Sequence, residues 1–160
     1  MNQIFNELDL RLSVVKRWGI LHTIRKQSVA EHSFNVAIIA DRIAVHWFDI
    51  DDPGTLYNIN RYALRHDRPE ALSGDIPSIV KDLFDEDELE ARYMDLIPDL
   101  AQWRSAEGVH FIVKLADRIE AAFFLLMEES MGNRTVTAIR KDLERQIEQM
   151  LMSKGIEVST

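Results

Sequence analysis

Apolar residues recur every three or four positions along residues 107–131, and this spacing constrains the fold more than any other feature. The apolar positions are Ile112, Leu115, Ala116, Ile119, Phe123 and Leu126. Such spacing places side chains on one face of an α-helix, whereas a half-buried strand needs alternation in steps of two. We find no convincing alternation of that kind elsewhere in the 160 residues. The sequence therefore predicts an all-α protein, a compact helical bundle formed by one domain over residues 1–160.

Caps and helix breakers predict where the other helices lie. Ser28 and Glu31 form an S-x-x-E capping box, which starts a second helix whose apolar face includes Val36 and Ile43. A third helix over roughly 55–67 should end before Pro69, because proline disfavours helix in the residue ahead of it. The remaining predicted helices cover roughly 2–14, 85–97 and 134–152, and the predicted loops cover 16–27 and 72–78.

Composition excludes several classes of function. The formal net charge is −8, and a field of that sign repels nucleic acid. The chain has no cysteine, so disulfides and cysteine-ligated zinc are excluded. No apolar run is long enough to span a membrane, and the acidic, amphipathic N-terminus is not a signal peptide. We therefore expect a cytoplasmic protein with a small-molecule partner and no nucleic acid or membrane partner.

Four side chains are candidates for chemistry, and each has an ordinary alternative. His32 continues the apolar stripe of the second helix, so it could be a core histidine with a satisfied ring. His66 and Asp67 are about 100° apart if helical, so they could share one ion beyond the helix end or form a solvated terminus. Asp117 interrupts the apolar pattern of the long helix and could pair with Arg118 or Arg65.

Together, these two imidazoles and two carboxylates suit a divalent transition metal held between helices. Imidazole favours Zn, Fe, Co or Ni, and carboxylates add charge and oxygen donors. A metal lowers the pKa of a bound water towards neutrality and so supplies a nucleophile. The spacing alone therefore favours a metal-dependent hydrolase.

Five ordered motifs make the sequence recognisable. They are Arg17-Trp18, S-x-x-E-H from Ser28 to His32, H-D-x-x-E from His66 to Glu70, G-D-x-P-x-x-x-K from Gly74 to Lys81, and K-x-x-D from Lys114 to Asp117. The chain resembles the HD-domain metal phosphohydrolases over roughly residues 15–125. The most similar patterns are those of the bacterial 5′-deoxynucleotidases and of the small phage dATP triphosphohydrolases, the DatZ type.

The resemblance implies a role for each matched residue. It implies that His32, His66, Asp67 and Asp117 ligate the metal, and that Glu70 acts on the attacking water or helps to hold a further ion. The residues implied to meet phosphate oxygens are Arg17, Lys81 and Lys114. Surface cations are usually solvated, which is the ordinary alternative for these three. Asp75 is either a ligand of a second metal or a cap of its own turn.

The base pocket is predicted from fewer residues. The chain reads Arg17-Trp18-Gly19-Ile20, and the phage enzymes look similar at these positions. Trp18 and Pro77 could sandwich a purine, and Ile20 could fill the space of a 2-amino group, so that adenine fits and guanine clashes. Trp18 could instead be a core anchor.

Three functions compete on this evidence. The first is hydrolysis of dATP to deoxyadenosine and triphosphate, the second is a 5′-deoxynucleotidase acting on monophosphates, and the third is a non-enzymatic helical module. The expected cofactor is a divalent transition metal (Zn, Co, Mn, Ni or Fe), and Mg²⁺ can accompany the triphosphate. The resemblance further implies a phage source, the host cytoplasm as location, and a homo-oligomer, either a dimer or a hexamer.

Overall fold

A computed structural model of the chain describes residues 7–76, 88, 91–93, 95, 97 and 108–156. The helices whose bounds are described are α1 (Glu7–Arg11), α2 (Val29–Phe48), α3 (Pro53–Ala63), α4 (Glu70–Ser73), α5 (Val109–Ser130) and α6 (Thr137–Met152), with a 3₁₀ turn at Arg134–Val136 before α6. Within the described residues no β-strand forms, and a single bridge joins Lys16 to Ser28. The prediction of an all-α fold is confirmed.

The capping box starts α2 at the predicted place. The Ser28 side chain accepts a hydrogen bond from the backbone N–H of Glu31, at 3.1 Å. This bond satisfies one of the N–H groups that the first helical turn leaves without an intrahelical partner. Because α2 begins at Val29, His32 lies in its first turn, on the face that also carries the buried Val36.

α3 ends four residues earlier than the sequence pattern predicted. Leu64 makes the last i→i−4 bond, to Asn60, and the next backbone bonds close tighter i→i−3 turns, first from Arg65 to Tyr62. Pro69 disfavours helix in the residue before it, and it also lacks the N–H that would bond to the carbonyl of Arg65, with which its ring would clash in a continued helix. His66 and Asp67 therefore lie in turns after α3, and the short helix α4, which was not predicted, follows them.

α5 packs against α2, α3 and α6, and the core surrounds it. Ala40 of α2, Ala63 of α3 and Ala116 of α5 are completely buried. Small side chains at these contacts let the helix backbones approach closely, and branched residues fill the remaining volume. The buried branched and long apolar residues of this core are Val36, Ile43, Ile59, Ile97, Val109, Ile112, Val113, Leu115 and Leu151.

The apolar stripe predicted along α5 is correct only in its first half. Ile112, Leu115 and Ala116 are buried, but Phe123 is 60% exposed and Leu126 is 45% exposed. The adjacent Phe124 and Leu125 are buried in their place, in a smaller cluster with Val136. In the second half of α5 the buried side of the helix is therefore not the predicted one.

α1 is fixed to the segment that follows α3. The Arg68 side chain is 2% exposed, and its Nε lies 2.8 Å from Oδ1 of Asp9. α1 covers only the middle of the helix predicted over 2–14, and residues 2–6 lie outside the described residues. In the part predicted as an exposed helix over 85–97, residues 88, 91–93 and 95 are helical and the rest of the segment is not described, apart from residue 97. None of the described helices is long and apolar enough to cross a membrane.

Candidate active site

His32 lies at the centre of a buried polar cluster, with no exposed surface. Its Nε2 atom lies 3.1 Å from Oδ1 of Asp117 and 3.4 Å from Oδ2 of Asp67. Within the described residues this nitrogen makes no directed hydrogen bond. His32 is thus a core histidine by position, but its ring has one nitrogen facing carboxylates rather than a satisfied environment.

His66 approaches the same point from the turn after α3. Its Nδ1 lies 2.7 Å from the carbonyl oxygen of Ala63, so Nδ1 carries the proton that this carbonyl accepts. The other nitrogen, Nε2, is buried, makes no hydrogen bond to the described residues and lies 3.3 Å from Oδ2 of Asp67. The centroids of the His32 and His66 rings are 5.5 Å apart.

These donors fit a metal ion. One ligand atom each from His32, His66 and Asp117 lie within 4.8 Å of one another. Both imidazoles direct a buried nitrogen without a hydrogen bond towards carboxylate oxygens, which is the arrangement that a cation between them would satisfy. A mixed nitrogen and oxygen set of this kind suits divalent first-row transition metals.

Asp117 faces the two histidines and also makes the contact with Arg118 that was considered for it from the sequence. Its Oδ1 faces His32, while its Oδ2 accepts a hydrogen bond from Arg118 at 3.3 Å. Burial acts to raise the pKa of Asp117, but the close approach of the His32 ring and the positive charge of that ring when protonated outweigh burial and hold the pKa well below its usual range. Burial likewise acts to raise the pKa of Asp67, but the positive charge of a protonated His66 and the nearby His32 ring outweigh burial and hold this pKa below its usual range.

The same field acts on His32 in the opposite direction. Burial and the nearby Arg17 act to lower the pKa of His32, but Asp117, Asp67 and Glu120 outweigh them and raise it to about 10. The surrounding carboxylates therefore favour positive charge at this position. A proton on His32 and a divalent cation would compete for the same carboxylate oxygens.

Arg17 points into this cluster. Its side chain is 13% exposed, with one terminal nitrogen 3.3 Å from Oε2 of Glu120 and the other 3.8 Å from Oδ1 of Asp117. Burial acts to lower the pKa of Arg17, but Asp117, Asp67, Glu120 and Glu70 together raise it. The guanidinium thus compensates carboxylate charge in this structure, and its predicted contact with phosphate stays a prediction.

Glu70 and Asp75 lie on the segment that follows the His-Asp pair. Glu70 lies in the first turn of α4 and is 6% exposed. Its negative charge is one of those that raise the pKa of Arg17. Asp75 accepts a hydrogen bond at 2.8 Å from the backbone N–H of Trp18, 57 residues away in sequence. Asp75 therefore joins two loops, and its predicted role as a second-metal ligand or a turn cap stays a prediction.

Trp18 has a constrained conformation. Its φ is 64°, in the left-handed region that residues other than glycine rarely adopt. Its ring stacks on Phe124 with 5.8 Å between centroids, and its indole N–H donates to Gln27 at 3.3 Å. One residue beyond Gly19, Ile20 is 68% exposed. Trp18 is thus anchored against the smaller core cluster, while Ile20 is accessible to a ligand.

Of the predicted lysines and the predicted proline, Lys114 lies within the described residues. Lys114 lies on α5 one turn before Asp117 and is exposed. Lys81 and Pro77 lie outside the described residues, so their predicted roles stay predictions. Outside the cluster, Nδ1 of His110 makes a 3.1 Å contact with the hydroxyl of Tyr62.

Sequence reasoning missed Glu120. This carboxylate lies one turn after Asp117 on α5, is 3% exposed and contacts Nδ1 of His32 at 2.6 Å. Glu120 shows the signal that singled out Asp117, since both are charged residues at the margin of an apolar helical face. It was not recognised because it belongs to none of the motifs.

Known proteins are similar to this chain in sequence and in fold. The family model described as 5′-deoxynucleotidase YfbR-like matches residues 5–93, more than half of the chain. The chain belongs to this family. The resemblance to HD-domain phosphohydrolases is therefore confirmed, the chain is a hydrolase, and the alternative of a non-enzymatic module is wrong.

Individual relatives cover nearly the whole chain. A 5′-deoxynucleotidase of Shewanella oneidensis is 30% identical over 171 residues, covering 92% of this chain and 85% of the relative. One of Erwinia tasmaniensis is 31% identical, covering 87% and 80%. The structure is similar to that of the HD phosphohydrolase DatZ of cyanophage S-2L, which holds dA and one catalytic Zn²⁺, with a TM-score of 0.77, 26% identity and coverage of 92% and 84%. A Pyrococcus horikoshii protein at 23% identity, with a TM-score of 0.73 and 92% coverage of both chains, shares the fold.

Proposed function

We propose that His32, His66, Asp67 and Asp117 hold one divalent transition metal ion. The observation that carries the proposal is the convergence of two buried imidazole nitrogens on carboxylate oxygens, across the junction of α2, the turn after α3, and α5. The Zn²⁺ held by the similar cyanophage enzyme supports it. Zn, Co, Mn, Ni and Fe all suit this donor set, and a second ion near Asp75 is not needed for it.

The reaction that this site supports best is the hydrolysis of a deoxyadenosine nucleotide at its 5′ phosphoester bond. With dATP, the oxygen of water forms a bond to the α-phosphorus, the bond from phosphorus to the 5′ oxygen breaks, and deoxyadenosine leaves with a proton. A metal in the site would supply charge stabilisation and lower the pKa of the attacking water. The sequence resemblance supports triphosphate as the second product, and the dA held by the cyanophage enzyme supports an adenine nucleoside.

Residues around the metal site have complementary roles in this proposal. Glu70 positions or deprotonates the attacking water. Arg17, Lys114 and Lys81 offset the negative charge of the phosphates, and Mg²⁺ can accompany a triphosphate. Trp18 provides an aromatic surface for the base, opposite Pro77, and Ile20 excludes a 2-amino group.

A 5′-deoxynucleotidase acting on monophosphates is the second candidate. The family model and the curated relatives carry this name, which favours it specifically. The experiment that separates the two candidates is incubation with each dNTP and each dNMP, with Co²⁺ or Mg²⁺, followed by chromatography of the products. Triphosphate as the product identifies the first candidate, and orthophosphate from monophosphates alone identifies the second.

Replacing a proposed ligand tests the metal site directly. His66→Ala should lose bound metal and turnover, because one imidazole donor is removed, while the helical circular dichroism spectrum is retained. Metal content measured by elemental analysis and hydrolysis measured by chromatography check this. His22→Ala is the matched control, because His22 is exposed and lies outside the cluster. Full activity of His66→Ala with metal supplied contradicts the assignment.

Glu70 can be tested without creating a cavity. Because Glu70 is buried, Glu70→Gln keeps the side-chain volume and removes only the carboxylate. We expect kcat to fall by about 10²–10⁴-fold, the usual contribution of a general base, while KM changes little. Glu148→Gln, on the exposed face of α6, controls for loss of a glutamate. Unchanged kcat with a raised KM would place Glu70 in substrate binding instead.

Base selection by Ile20 predicts a particular pattern of substrates. The wild type should hydrolyse dATP well but dGTP and 2-amino-dATP poorly, because both rejected purines carry a 2-amino group. Ile20→Ala should raise kcat/KM for dGTP and for 2-amino-dATP relative to kcat/KM for dATP. The change in this ratio should correspond to no more than about 1–3 kcal/mol, because an apolar pocket discriminates one small group only weakly. Ile24→Ala is the matched control, an isoleucine 57% exposed in the same loop. If the wild type hydrolyses 2-amino-dATP as fast as dATP, the enzyme selects the base at the 6-position of the purine and not through Ile20.

We also propose that the protein is a homo-oligomer, in which the exposed apolar residues of α5 pack against another copy. Phe123, Leu126 and Met127 are 60%, 45% and 39% exposed. Leu151 of α6 is buried in the core and is not part of this exposed surface. Light scattering should give a multiple of the 18.5 kDa monomer mass, and Phe123→Arg should lower it because a charge in an apolar interface is costly. A monomer mass for the wild type at micromolar concentration contradicts this.

A further inference from the structure

Glu120 is a buried carboxylate whose two oxygens are both occupied. Oε2 lies 2.6 Å from Nδ1 of His32 and accepts from Arg17 at 3.3 Å. Oε1 accepts from two side-chain amides, at 2.6 Å from Gln27 and at 3.0 Å from Asn35. A carboxylate with this many donors is fixed in position and orientation.

We propose that Glu120 is the positioning residue of the metal centre, holding His32 with its proton on Nδ1 and its Nε2 directed at the metal. The inference rests on the metal site of the proposed function. It adds Glu120, which belongs to none of the five sequence motifs. Partners of this kind, which accept a hydrogen bond from a ligating imidazole, fix the tautomer and raise the basicity of the ligand.

The hydrogen-bond roles follow from which groups can donate. A carboxylate accepts only, so the nitrogen of His32 at 2.6 Å from Oε2 must carry a proton. In a neutral imidazole, Nε2 then has the free lone pair that a metal needs. Arg17 also contacts Nδ1 of His32, but a guanidinium cannot accept a hydrogen bond, so Oε2 of Glu120 is the acceptor that both share. His66 is oriented in the same sense by the carbonyl oxygen of Ala63.

The amides that hold Oε1 are themselves oriented. Gln27 is 2% exposed, and its carbonyl oxygen accepts from the indole N–H of Trp18. That bond turns its NH₂ group towards Glu120. Asn35 lies one turn after His32 on α2, so its amide reaches the same carboxylate from the helix that carries the ligand. Glu120 is therefore held from the loop and from α2 at once.

The test compares two buried glutamates of the same helix. Glu120→Gln keeps the size of the side chain but replaces one acceptor oxygen by a donor, which disturbs the bonds to His32, Gln27 and Asn35. Glu128→Gln is the matched control. Glu128 has no exposed surface and accepts from the backbone of Ile24 and Arg25 and from Asn133, but its described hydrogen bonds do not involve His32.

The measurement is Co²⁺ affinity, by titration of the visible absorption bands of the metal in the absence of nucleotide. Glu120→Gln should bind Co²⁺ about 10–100-fold more weakly than wild type, with altered absorption bands, and Glu128→Gln should bind as wild type does. Equal affinity of Glu120→Gln and wild type overturns the inference, and so does equal weakening in both variants, because the effect would then come from packing.

A second variant covers the case in which Glu120→Gln does not fold. Asn35→Leu is nearly the same size, leaves Glu120 and His32 in place and removes one donor to Oε1. A several-fold loss of Co²⁺ affinity supports the inference, and unchanged affinity overturns it. A wild-type protein that binds no transition metal would instead contradict the proposed function itself, so the two failures are distinguishable.

Discussion

The burial of His32 among three carboxylates is the interaction on which the rest of this site depends. Asp67, Asp117 and Glu120 come from two separate regions of the chain and meet one imidazole that has no contact with solvent. Burying unpaired charge costs far more than a helical core of this size can offset. The cluster is therefore stable only if the carboxylates face positive charge, which Arg17 provides together with either a proton on His32 or the proposed metal ion.

This requirement explains why the chain leaves the helix after Ala63. A regular continuation of α3 would separate His66 from Asp67 by about 100° around the helix axis. The turns between α3 and α4 instead bring Oδ2 of Asp67 to 3.3 Å from Nε2 of His66. Pro69 enforces the break, and the buried pair of Arg68 and Asp9 ties the broken segment to α1. The irregular backbone thus serves the site, while the regular helices serve the core.

Much of this arrangement can be predicted from the sequence, and the remainder depends on tertiary contacts. Helix period and the capping box predict α2 and α5, and motif order predicts that His32, His66 and Asp117 belong together. The end of α3 was predicted too late because only the effect of Pro69 on the preceding residue was considered, and not its effect on the carbonyl of Arg65. The wrong buried face was predicted for the second half of α5. Sequence spacing alone does not distinguish Phe123 from Phe124, because the packing of neighbouring helices decides which of the two is buried.

The site residues that were missed or misjudged share a physical reason. Glu120 carries no motif, and its importance arises from Gln27 and Asn35, which lie far from it in sequence. The hydrogen bond between Asp75 and Trp18 joins loops that only the fold brings together. Contacts of this kind depend on the packing of α2 against α5, which a single sequence does not reveal.

The charge of the cluster also determines how an anionic substrate can approach. Asp67, Asp117, Glu120 and Glu70 all act on Arg17, and one guanidinium cannot balance four carboxylates. A phosphate entering the metal-free cluster would therefore meet a net negative field and compete with these carboxylates for Arg17. The proposed divalent cation between His32, His66 and Asp117 would reduce that field beside these residues. The acidic cluster would thus accept an anionic substrate only with the proposed metal in place. Glu120 contacts Nδ1 of His32, the opposite ring nitrogen from the one that faces Asp67 and Asp117, so its proposed positioning of His32 leaves the metal side of the ring open.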